Sequence, residues 1–546
     1  MNREASISKL KSESFDLLII GGGITGAGIA LDATSRGLKT ALIEKKDFAY
    51  GTSSRSTKLI HGGLRYLKQL EFGLVKEVGS ERAVVHNLAP HLVIPEKMLL
   101  PLYEKRGFGS TLTSIGLKLY DWLAGVKPED QRKMLTRKQT LKKEQLLNPL
   151  DVKGGAIYAE YRTDDARLTI EIIKTANAHG ATVSNYCEAV DFIYEDGKIV
   201  GVKAFDKIKN ETFEIRAAAI VNAAGPWVDT LREKDKSKSG KQLHLTKGVH
   251  IVVPKEKLPV AQAIYFDVGD GRMIFAIPRG RITYVGTTDT NYTGSIDAVC
   301  TQKEDAEYLL SAVNQTFTNA DLSLDDIESS WAGLRPLIHE DGKSASELSR
   351  KDEIFESPSG LISIAGGKLT GYRKMAERVV DLVVKNYFYP DSYRDKLQSC
   401  LTGSIHITQP FFKNFDEVRK YKLLVEEKLR PHQLEGYVDY LVSNYGKQTE
   451  EIITRLGEEK GNESQSLLVL AELHFCIEKE MVCSASDFFV RRTGMLYFDL
   501  PRMNRIFEQC ILQLADHFQW NEDQLKAQMK EMQSLIKEAS DFITDK

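Results

Sequence analysis

A glycine-rich turn between a predicted strand and a predicted helix restricts the fold of this chain more than any other feature. Residues 15–20 are apolar enough for a buried parallel strand, residues 24–36 have an alanine-rich helical pattern, and residues 38–44 predict the next strand. The turn between the first two, Gly21-Gly-Gly-Ile-Thr-Gly26, satisfies the G-x-G-x-x-G pattern. Gly21, Gly23 and Gly26 permit a tight turn, close approach of the backbone to a pyrophosphate, and close packing of the helix. The N-terminal segment therefore predicts a β-α-β unit that binds a dinucleotide.

An acidic residue extends this prediction to the ribose. Glu44 ends the second predicted strand, downstream of Gly26. A carboxylate at this position accepts hydrogen bonds from a ribose hydroxyl and disfavours a 2′-phosphate, which argues against NADP. This fingerprint alone does not separate NAD from FAD.

Two further segments favour FAD. Residues 51–57 read Gly-Thr-Ser-Ser-Arg-Ser-Thr, and their hydroxyls, including those of Thr52 and Ser53, suit an extended cofactor where a simple NAD domain would continue with a helix. The turn at residues 366–370 reads Gly-Gly-Lys-Leu-Thr. Its amides, at Gly367, Leu369 and Thr370, are suited to face the flavin pyrimidine ring and the negative charge that develops at N1.

The remaining pattern predicts a discontinuous α/β protein. A Rossmann-like FAD-binding domain comprises residues 1–96, 144–244 and 355–387, including a late strand at 360–367 that returns to the first sheet. Alternating runs such as 249–253, 273–277 and 282–286 predict an antiparallel sheet, so residues 97–143 and 245–354 form a substrate domain. Residues 388–546 are mainly helical in pattern and form a third domain. Substrate should meet the cofactor between the first two domains.

Composition excludes several classes of protein. With 42% hydrophobic and 27% charged residues, the chain has the balance of a soluble globular protein. The net charge of −2 argues against a nucleic-acid partner. The six cysteines form no C-x-x-C pair, so neither a metal site nor a disulfide framework is expected. No apolar stretch approaches the length of a membrane span, which predicts a cytoplasmic protein or one that rests on the inner face of the membrane.

The insertion at residues 97–143 has its own surface chemistry. It carries eleven basic and four acidic residues, a net charge of +7. Within it, residues 108–124 have apolar side chains at helical spacing. This combination predicts peripheral attachment to an anionic membrane surface. The apolar contacts would be Leu112, Ile115, Leu119, Trp122 and Leu123, with Lys105, Arg106 and Lys118 beside them.

Several motifs together resemble one family. The segment from Gly21 to Gly37 is similar to the N-terminal signature of the FAD-dependent glycerol-3-phosphate dehydrogenases, and residues 366–376 are similar to their second signature. Residues 61–66 (His-Gly-Gly-Leu-Arg-Tyr), 223–227 (Ala-Ala-Gly-Pro-Trp), 332–336 and 487–493 also resemble that family. The resemblance spans essentially the whole chain. It implies a D-amino-acid-oxidase-like arrangement with a helical C-terminal domain, and oxidation of glycerol 3-phosphate to dihydroxyacetone phosphate.

The resemblance also suggests roles for individual residues. Arg335 and Lys368 would approach the substrate hydroxyls and the flavin, while Arg65, Tyr66 and Arg350 suit the phosphate, because arginine binds phosphate in a bidentate manner. His61 is the leading candidate for the proton acceptor, ahead of His250 and His339, since an imidazole titrates near neutrality. Gly225, in the motif at residues 223–227, would contact the cofactor. Arg491 and Arg492 are interpreted as structural residues.

Three functions are compatible with these motifs. The first is a dehydrogenase that passes electrons to a membrane quinone, with its state as monomer or oligomer left open. The second is a soluble glycerophosphate oxidase that uses oxygen. In the family the oxidases carry an additional insert between the positions of Arg335 and Lys368, where the interval is short here, which favours the dehydrogenase. The third is a flavoprotein that modifies tRNA, which the near-neutral composition disfavours.

Overall fold

Two large sheets and a helical domain make up the described part of the molecule. The computed structural model describes residues 1–61, 72–103, 131–339, 352–388, 397–459, 461 and 463–542. The strands, in chain order, are β1 (Ser14–Ile20), β2 (Thr40–Ile43), β3 (Leu59–Ile60), β4 (Ile94–Tyr103), β5 (Lys133–Thr136), β6 (Val152–Arg162), β7 (Thr182–Ser184), β8 (Cys187–Glu195), β9 (Lys198–Asp206), β10 (Glu211–Asn222), β11 (Leu243–Pro254), β12 (Ala263–Asp267), β13 (Met273–Arg279), β14 (Ile282–Gly286), β15 (Thr290–Asn291), β16 (Ser329–Ile338), β17 (Asp352–Glu356) and β18 (Leu361–Gly366).

The first sheet is the predicted nucleotide-binding sheet. Its order is β17-β18-β10-β1-β2-β7, with β9 beside β10 and β8 beside β9. The pairs from β18 to β7 are parallel, which confirms that the late strand β18 returns to this sheet. The strands β1, β2, β10 and β18 therefore end at one edge, where ligands bind in open α/β sheets.

Helices cover this sheet. Ile24–Ser35 follows the glycine turn and packs against Tyr372–Tyr387, so closely that a Cβ on Gly28 would lie 2.8 Å from the Tyr372 ring. Asp165–Ala178 lies against the same helix. Among the described residues, the other α-helices before the C-terminal region are Arg3–Ser12, Phe72–Leu88, Arg137–Lys143, Val228–Lys234 and Lys303–Thr316.

The second sheet contains β15-β11-β14-β13-β12-β4-β6-β3, with β16 paired to β11 and β5 to β6. It is antiparallel, as predicted, except that β12 and β4 are parallel. The predicted domain boundaries differ from the sheets at several points. Residues 94–96 pair in the second sheet although the sequence pattern assigns them to the FAD-binding domain, and residues 352–354 pair in the first sheet although it assigns them to the substrate domain. Residues 59–60 and 152–162, which the sequence pattern assigns to the FAD-binding domain, pair within the second sheet because the chain crosses between the sheets around them.

The C-terminal region is helical, as expected. Its helices are Phe415–Leu429, Val438–Tyr445, Thr449–Leu456, Ser464–Glu480, Met495–Phe498, Leu500–Phe518 and Glu522–Ser540. Their apolar core is continuous with one face of the second sheet, through residues such as Tyr284 and Trp331. Within the described ranges, no helix is long and apolar enough to cross a membrane.

Candidate active site

A cavity of about 370 Å³ lies at the carboxyl edge of the first sheet, facing the second sheet. Segments that follow the parallel strands form one wall: the glycine turn after β1, Glu44 after β2, residues 223–227 after β10 and residues 366–370 after β18. The other wall comes from the second sheet and includes His250, Phe275 and Arg335. The topology thus brings together segments that lie far apart along the chain.

Backbone atoms leave no room for a side chain at two positions of the glycine turn, Gly21 and Gly26. Gly21 has a φ of +118°, which favours glycine, and a Cβ there would lie 2.5 Å from the Ala223 carbonyl oxygen. A Cβ on Gly26 would lie 1.9 Å from the Gly21 carbonyl oxygen. Gly23, by contrast, lines the cavity, and a Cβ there would meet only the Ser53 hydroxyl at 3.2 Å. Gly21 and Gly26 therefore shape the turn itself, and Gly23 keeps the space beside it open.

Glu44 lies next to this turn, as predicted. Its carboxylate accepts hydrogen bonds from the amides of Gly22 at 2.7 Å and Lys46 at 2.9 Å. Burial raises the pKa of Glu44, and the two amide donors oppose that effect. The side chain is thus held at the cavity wall by these two amides.

The hydroxyl-rich segment 51–57 lines the cavity between the two sheets. The Ser53 hydroxyl accepts a hydrogen bond from the Ile24 amide at 2.9 Å, at the start of the first long helix. Thr52 donates to the Leu334 carbonyl of β16 at 2.6 Å. Both residues line the cavity and connect the glycine turn to the second sheet.

The turn after β18 closes the other end of the first wall. Gly366 and Gly367 have φ values of +79° and +76°, and a Cβ on Gly367 would lie 2.4 Å from the Met375 sulfur. Lys368 and Leu369 line the cavity, and the Lys368 Nζ atom is buried. Thr370 donates to the His61 carbonyl at 3.3 Å, which fixes this turn beside His61.

Arg335 extends from β16 towards the loop that follows β14. Its guanidinium donates to the Thr288 carbonyl and the Asp289 carboxylate, both at 3.1 Å, and to the Thr287 hydroxyl at 2.9 Å. The side chain is 21% exposed and lines the cavity together with these partners. Arg335 and Lys368 thus reach the same cavity from opposite sheets.

Two histidines line the cavity in different environments. The His61 ring is half-buried and meets the Phe275 ring edge-on, with centroids 6.3 Å apart. His250 is fully buried, stacks on Trp331 and hydrogen-bonds through Nε2 to the Thr57 hydroxyl at 3.0 Å. Burial, together with the charge of Arg335, lowers the pKa of His250 well below its ordinary value, so this ring is neutral near neutral pH.

Of the remaining predicted residues, the structure describes some, and others lie outside the described residues. Arg65, Tyr66 and Arg350 lie outside the described residues, as do residues 104–130 of the basic insertion. Gly225 lines the cavity with a φ of +56°, in the turn after β10. His339 is exposed and does not line the cavity. Among the described residues, no group of three or more His, Cys, Asp or Glu side chains is arranged to hold a metal ion.

Part of the second wall was not predicted from the sequence. Arg55 and Arg272 line the cavity, as do Thr287, Thr288 and Asp289. Arg55 stands within a segment already assigned to the cofactor. Residues 287–289 directly follow a predicted strand, and a run of two hydroxyls and a carboxylate at a strand end was a usable signal.

Two family models match the chain. A model described as FAD dependent oxidoreductase matches residues 16–373, and one described as the C-terminal domain of alpha-glycerophosphate oxidase matches residues 415–525. The first covers nearly all of the cavity lining and of both sheets. The second covers most of the helical domain.

Similar proteins are known from bacteria. The aerobic glycerol-3-phosphate dehydrogenase of Bacillus subtilis is 47% identical over 543 residues, covering 99% of this chain and 98% of that protein. The protein of the same name from Staphylococcus aureus is 48% identical and covers 98% of this chain and 97% of its own.

Solved structures of similar proteins point to the same family. The crystal structure of the glycerol-3-phosphate dehydrogenase from Bacillus halodurans, complexed with FAD, has a TM-score of 0.84 and 43% identity, covering 100% of this chain and 98% of that one. The L-alpha-glycerophosphate oxidase of Mycoplasma pneumoniae, with FAD bound, has a TM-score of 0.54 at 19% identity and covers 68% of this chain and 95% of that one, a likeness of fold.

Proposed function

The chain belongs to the FAD-dependent oxidoreductases and, within them, to the aerobic glycerol-3-phosphate dehydrogenases, and from this premise we propose that it oxidises sn-glycerol 3-phosphate to dihydroxyacetone phosphate. The observation that carries the proposal is the meeting of Arg335 and Lys368 in one cavity beside the glycine turn. FAD, when bound, supplies the acceptor for the hydride that leaves C2 of the substrate. The chain's own residues bind the substrate, orient it and take up its hydroxyl proton.

The two cations act where negative charge develops. As the C2–H bond breaks, the C2 oxygen loses its proton and gains alkoxide character. Arg335 and Lys368 stabilise this charge, and such preorganised donors contribute several kcal/mol in a site that excludes water. Arg335 is already held by Thr287 and Asp289, so little reorganisation is needed when substrate binds.

The proton goes to a base, for which His61 is our assignment. Its ring lies in the cavity wall beside the turn that holds Lys368, through the bond from Thr370. His250 is the weaker choice, since its low pKa makes the neutral ring a poor proton acceptor. The phosphate is assigned to Arg65, Arg350 and Tyr66, which follows the family resemblance.

A visible spectrum tests the substrate and the cofactor together. On anaerobic addition of glycerol 3-phosphate to the purified protein, we expect the oxidised flavin band to bleach. Glycerol lacks the phosphate that anchors C2, so its kcat/KM should be lower by at least about 10³, because remote binding energy positions the reacting atoms. Comparable kcat/KM values for the two compounds would refute the phosphate anchor.

Substitution of the proposed base changes the pH dependence. A protonated imidazole cannot accept a proton, so flavin reduction in the parent should slow as the pH falls through the titration of the base. His61→Asn should slow reduction by about 10²–10⁴ and remove this limb of the profile. Stopped-flow reduction across pH measures both. A variant that reduces its flavin as fast as the parent at every pH would exclude His61. His250→Asn serves as the control that keeps the limb, because burial lowers the pKa of the native His250 ring well below its ordinary value.

We further propose that the electrons pass to a membrane quinone. The short interval between Arg335 and Lys368 supports a dehydrogenase, as does the name of the relatives at 47% identity. The name of the C-terminal family model favours the second candidate, an oxidase. Turnover with a soluble quinone analogue under nitrogen, compared with peroxide formation in air, separates them: an enzyme that turns over only in air is the oxidase.

We also propose that the protein attaches to the cytoplasmic face of the membrane that contains the quinone. The +7 charge of residues 97–143 supports it, because each basic residue near an anionic leaflet contributes about 1 kcal/mol. Sedimentation with anionic liposomes should be strong at low salt and weak at high salt. Changing Leu119 and Trp122 to serine should reduce it about tenfold, through lost burial in the headgroup layer. Equal binding by parent and variant would exclude this segment as the anchor.

A further inference from the structure

The carboxylate of Asp47 is fully buried where the helical domain meets the first sheet. Four nitrogen atoms from three side chains donate hydrogen bonds to its two oxygens. Arg491 donates through Nε at 2.6 Å, Arg492 through two nitrogens at 2.7 and 3.0 Å, and Asn185 through Nδ2 at 3.0 Å. Burial alone would raise the pKa of Asp47, but the charges of Arg492 and Arg491 hold it below its ordinary value. The carboxylate is therefore ionised and firmly held.

The two arginines are themselves fixed by the helical domain. Both belong to a π-helical turn, Asp487–Arg492, a geometry that often occurs at functional sites. Arg491 also donates to the Asp487 carboxylate at 2.7 Å, and Arg492 donates to the Glu480 carbonyl at 2.7 Å. The pair can thus act as a rigid clamp on Asp47.

Asp47 lies in a short loop, residues 46–50, that contacts the glycine turn directly. The Ala49 amide donates to the Gly22 carbonyl at 2.9 Å, and a Cβ on Gly22 would lie 2.8 Å from the Phe48 ring. Tyr50, at the end of the loop, lines the cavity. Whatever fixes this loop also fixes the turn that would hold the cofactor diphosphate.

The loop does not hold this shape by backbone preference alone. Ala49 has a φ of +61°, in the left-handed region, which costs energy for a residue with a Cβ. Such a conformation persists when surrounding contacts impose it. The hydrogen bond from the Ala49 amide to the Gly22 carbonyl is one such contact, and the hydrogen bonds from Arg491 and Arg492 to Asp47, two residues earlier in the loop, are another.

We propose that Arg491 and Arg492 are positioning residues for FAD: by holding Asp47, the helical domain sets the loop that supports the glycine turn. This role concerns retention of the cofactor and not the identity of the substrate, so it is separate from the proposed reaction. Coupling between two sites is reciprocal, so bound FAD should in turn stabilise the docking of the helical domain.

The same domain boundary contains a second cluster of charges that serves as a control. Lys174 donates to Glu171 and Glu480, both at 2.8 Å, and to Gln448 at 2.6 Å. It therefore links the helical domain to the first domain without contacting residues 46–50. Glu480 also lies 3.6 Å from Arg492, but Arg167 donates to its carboxylate at 2.7 and 2.9 Å and keeps it in place when Lys174 is removed. Lys174→Met should therefore weaken the domain contact while leaving the support of the glycine turn intact.

The rate of FAD release from the holoenzyme tests the proposal. After dilution, the fluorescence of released FAD reports dissociation without any substrate. We expect Arg491→Met to release FAD at least tenfold faster than the parent and Lys174→Met to stay within twofold. Arg491→Lys should lie between, because its ammonium reaches Asp47 or Asp487 but not both. Hydrogen exchange at the Ala49 amide should quicken in Arg491→Met and not in Lys174→Met.

Two results would overturn the proposal. One is release from Arg491→Met within twofold of the parent rate. The other is release from Lys174→Met as fast as from Arg491→Met, which would mean that any loosening of the domain contact has the same effect. If Arg491→Met does not fold, Arg491→Lys decides: release at least threefold faster supports the proposal, and the parent rate overturns it.

Discussion

Replacing Gly23 by valine is expected to give a folded protein that does not retain FAD. Gly23 has an ordinary extended backbone, with φ −79° and ψ −178°, so a branched residue is tolerated there. A Cβ would meet only the Ser53 hydroxyl, and the rest of the side chain would enter the cavity. An affinity loss of at least about 100-fold, about 2.7 kcal/mol, follows if the diphosphate passes this point.

Flavin absorbance of the purified variant measures the loss, and thermal unfolding of the flavin-free parent and variant shows whether the fold survives. Gly26→Ala is the contrasting case. Its methyl group would lie 1.9 Å from the Gly21 carbonyl, so the helix must move away from β1 and both fold and flavin should be lost. Full flavin content in Gly23→Val would disprove the placement of the cofactor.

Arg335→Met is expected to slow flavin reduction by glycerol 3-phosphate by about 10²–10³, or about 2.7–4 kcal/mol, which is the usual effect of removing one donor to a developing oxyanion. Its guanidinium is held in the cavity by Thr287, Thr288 and Asp289. Arg335→Lys retains the charge but not the fork of donors, so its rate should lie between those of the parent and the methionine variant. Anaerobic stopped flow gives the reduction rate directly.

Two control variants distinguish the loss of the Arg335 donor from repulsion of the developing charge by Asp289. Removing Arg335 withdraws a cation from the Asp289 carboxylate, which could then repel the developing charge by itself. If that were the whole effect, adding Asp289→Asn would restore the parent rate, and we expect that it does not. Arg281→Gln removes a guanidinium that pairs with Glu328 away from the cavity and should leave the rate unchanged.

The parts of the fold that follow local pattern were predictable from sequence. Three parts match their expected positions: the first β-α-β unit, the returning strand β18 and the helical C-terminal region. Hydrophobic periodicity and the placement of glycines determine each of them locally. The glycine turn and Glu44 were found for the same reason. Which sheet a strand joins was not predictable at Val152–Arg162, since its apolar alternation suits either sheet and only long-range pairing decides.

The residues of the candidate site likewise divide into those that local motifs predict and those that depend on long-range contacts. Gly367, Thr52 and Ser53 stand in recognisable motifs, and the structure brings them to the cavity. The neutral state of His250 could not be read from sequence, because it depends on burial against Trp331 and on the charge of Arg335, whose strand pairs with that of His250. The clamp on Asp47 joins opposite ends of the chain, a separation at which no local pattern carries information.

The path of the chain between the two sheets limits how the molecule can move. After β2 the chain enters the second sheet, returns for β7 to β10, leaves again for β11 to β16 and comes back for β17 and β18. Hinge closure in other enzymes relies on a few residues that absorb a large rotation. Here several separate connections would have to bend in concert, and the helical domain is packed across the same boundary. We therefore expect the relative placement of the two cavity walls to change little between substrate binding and product release.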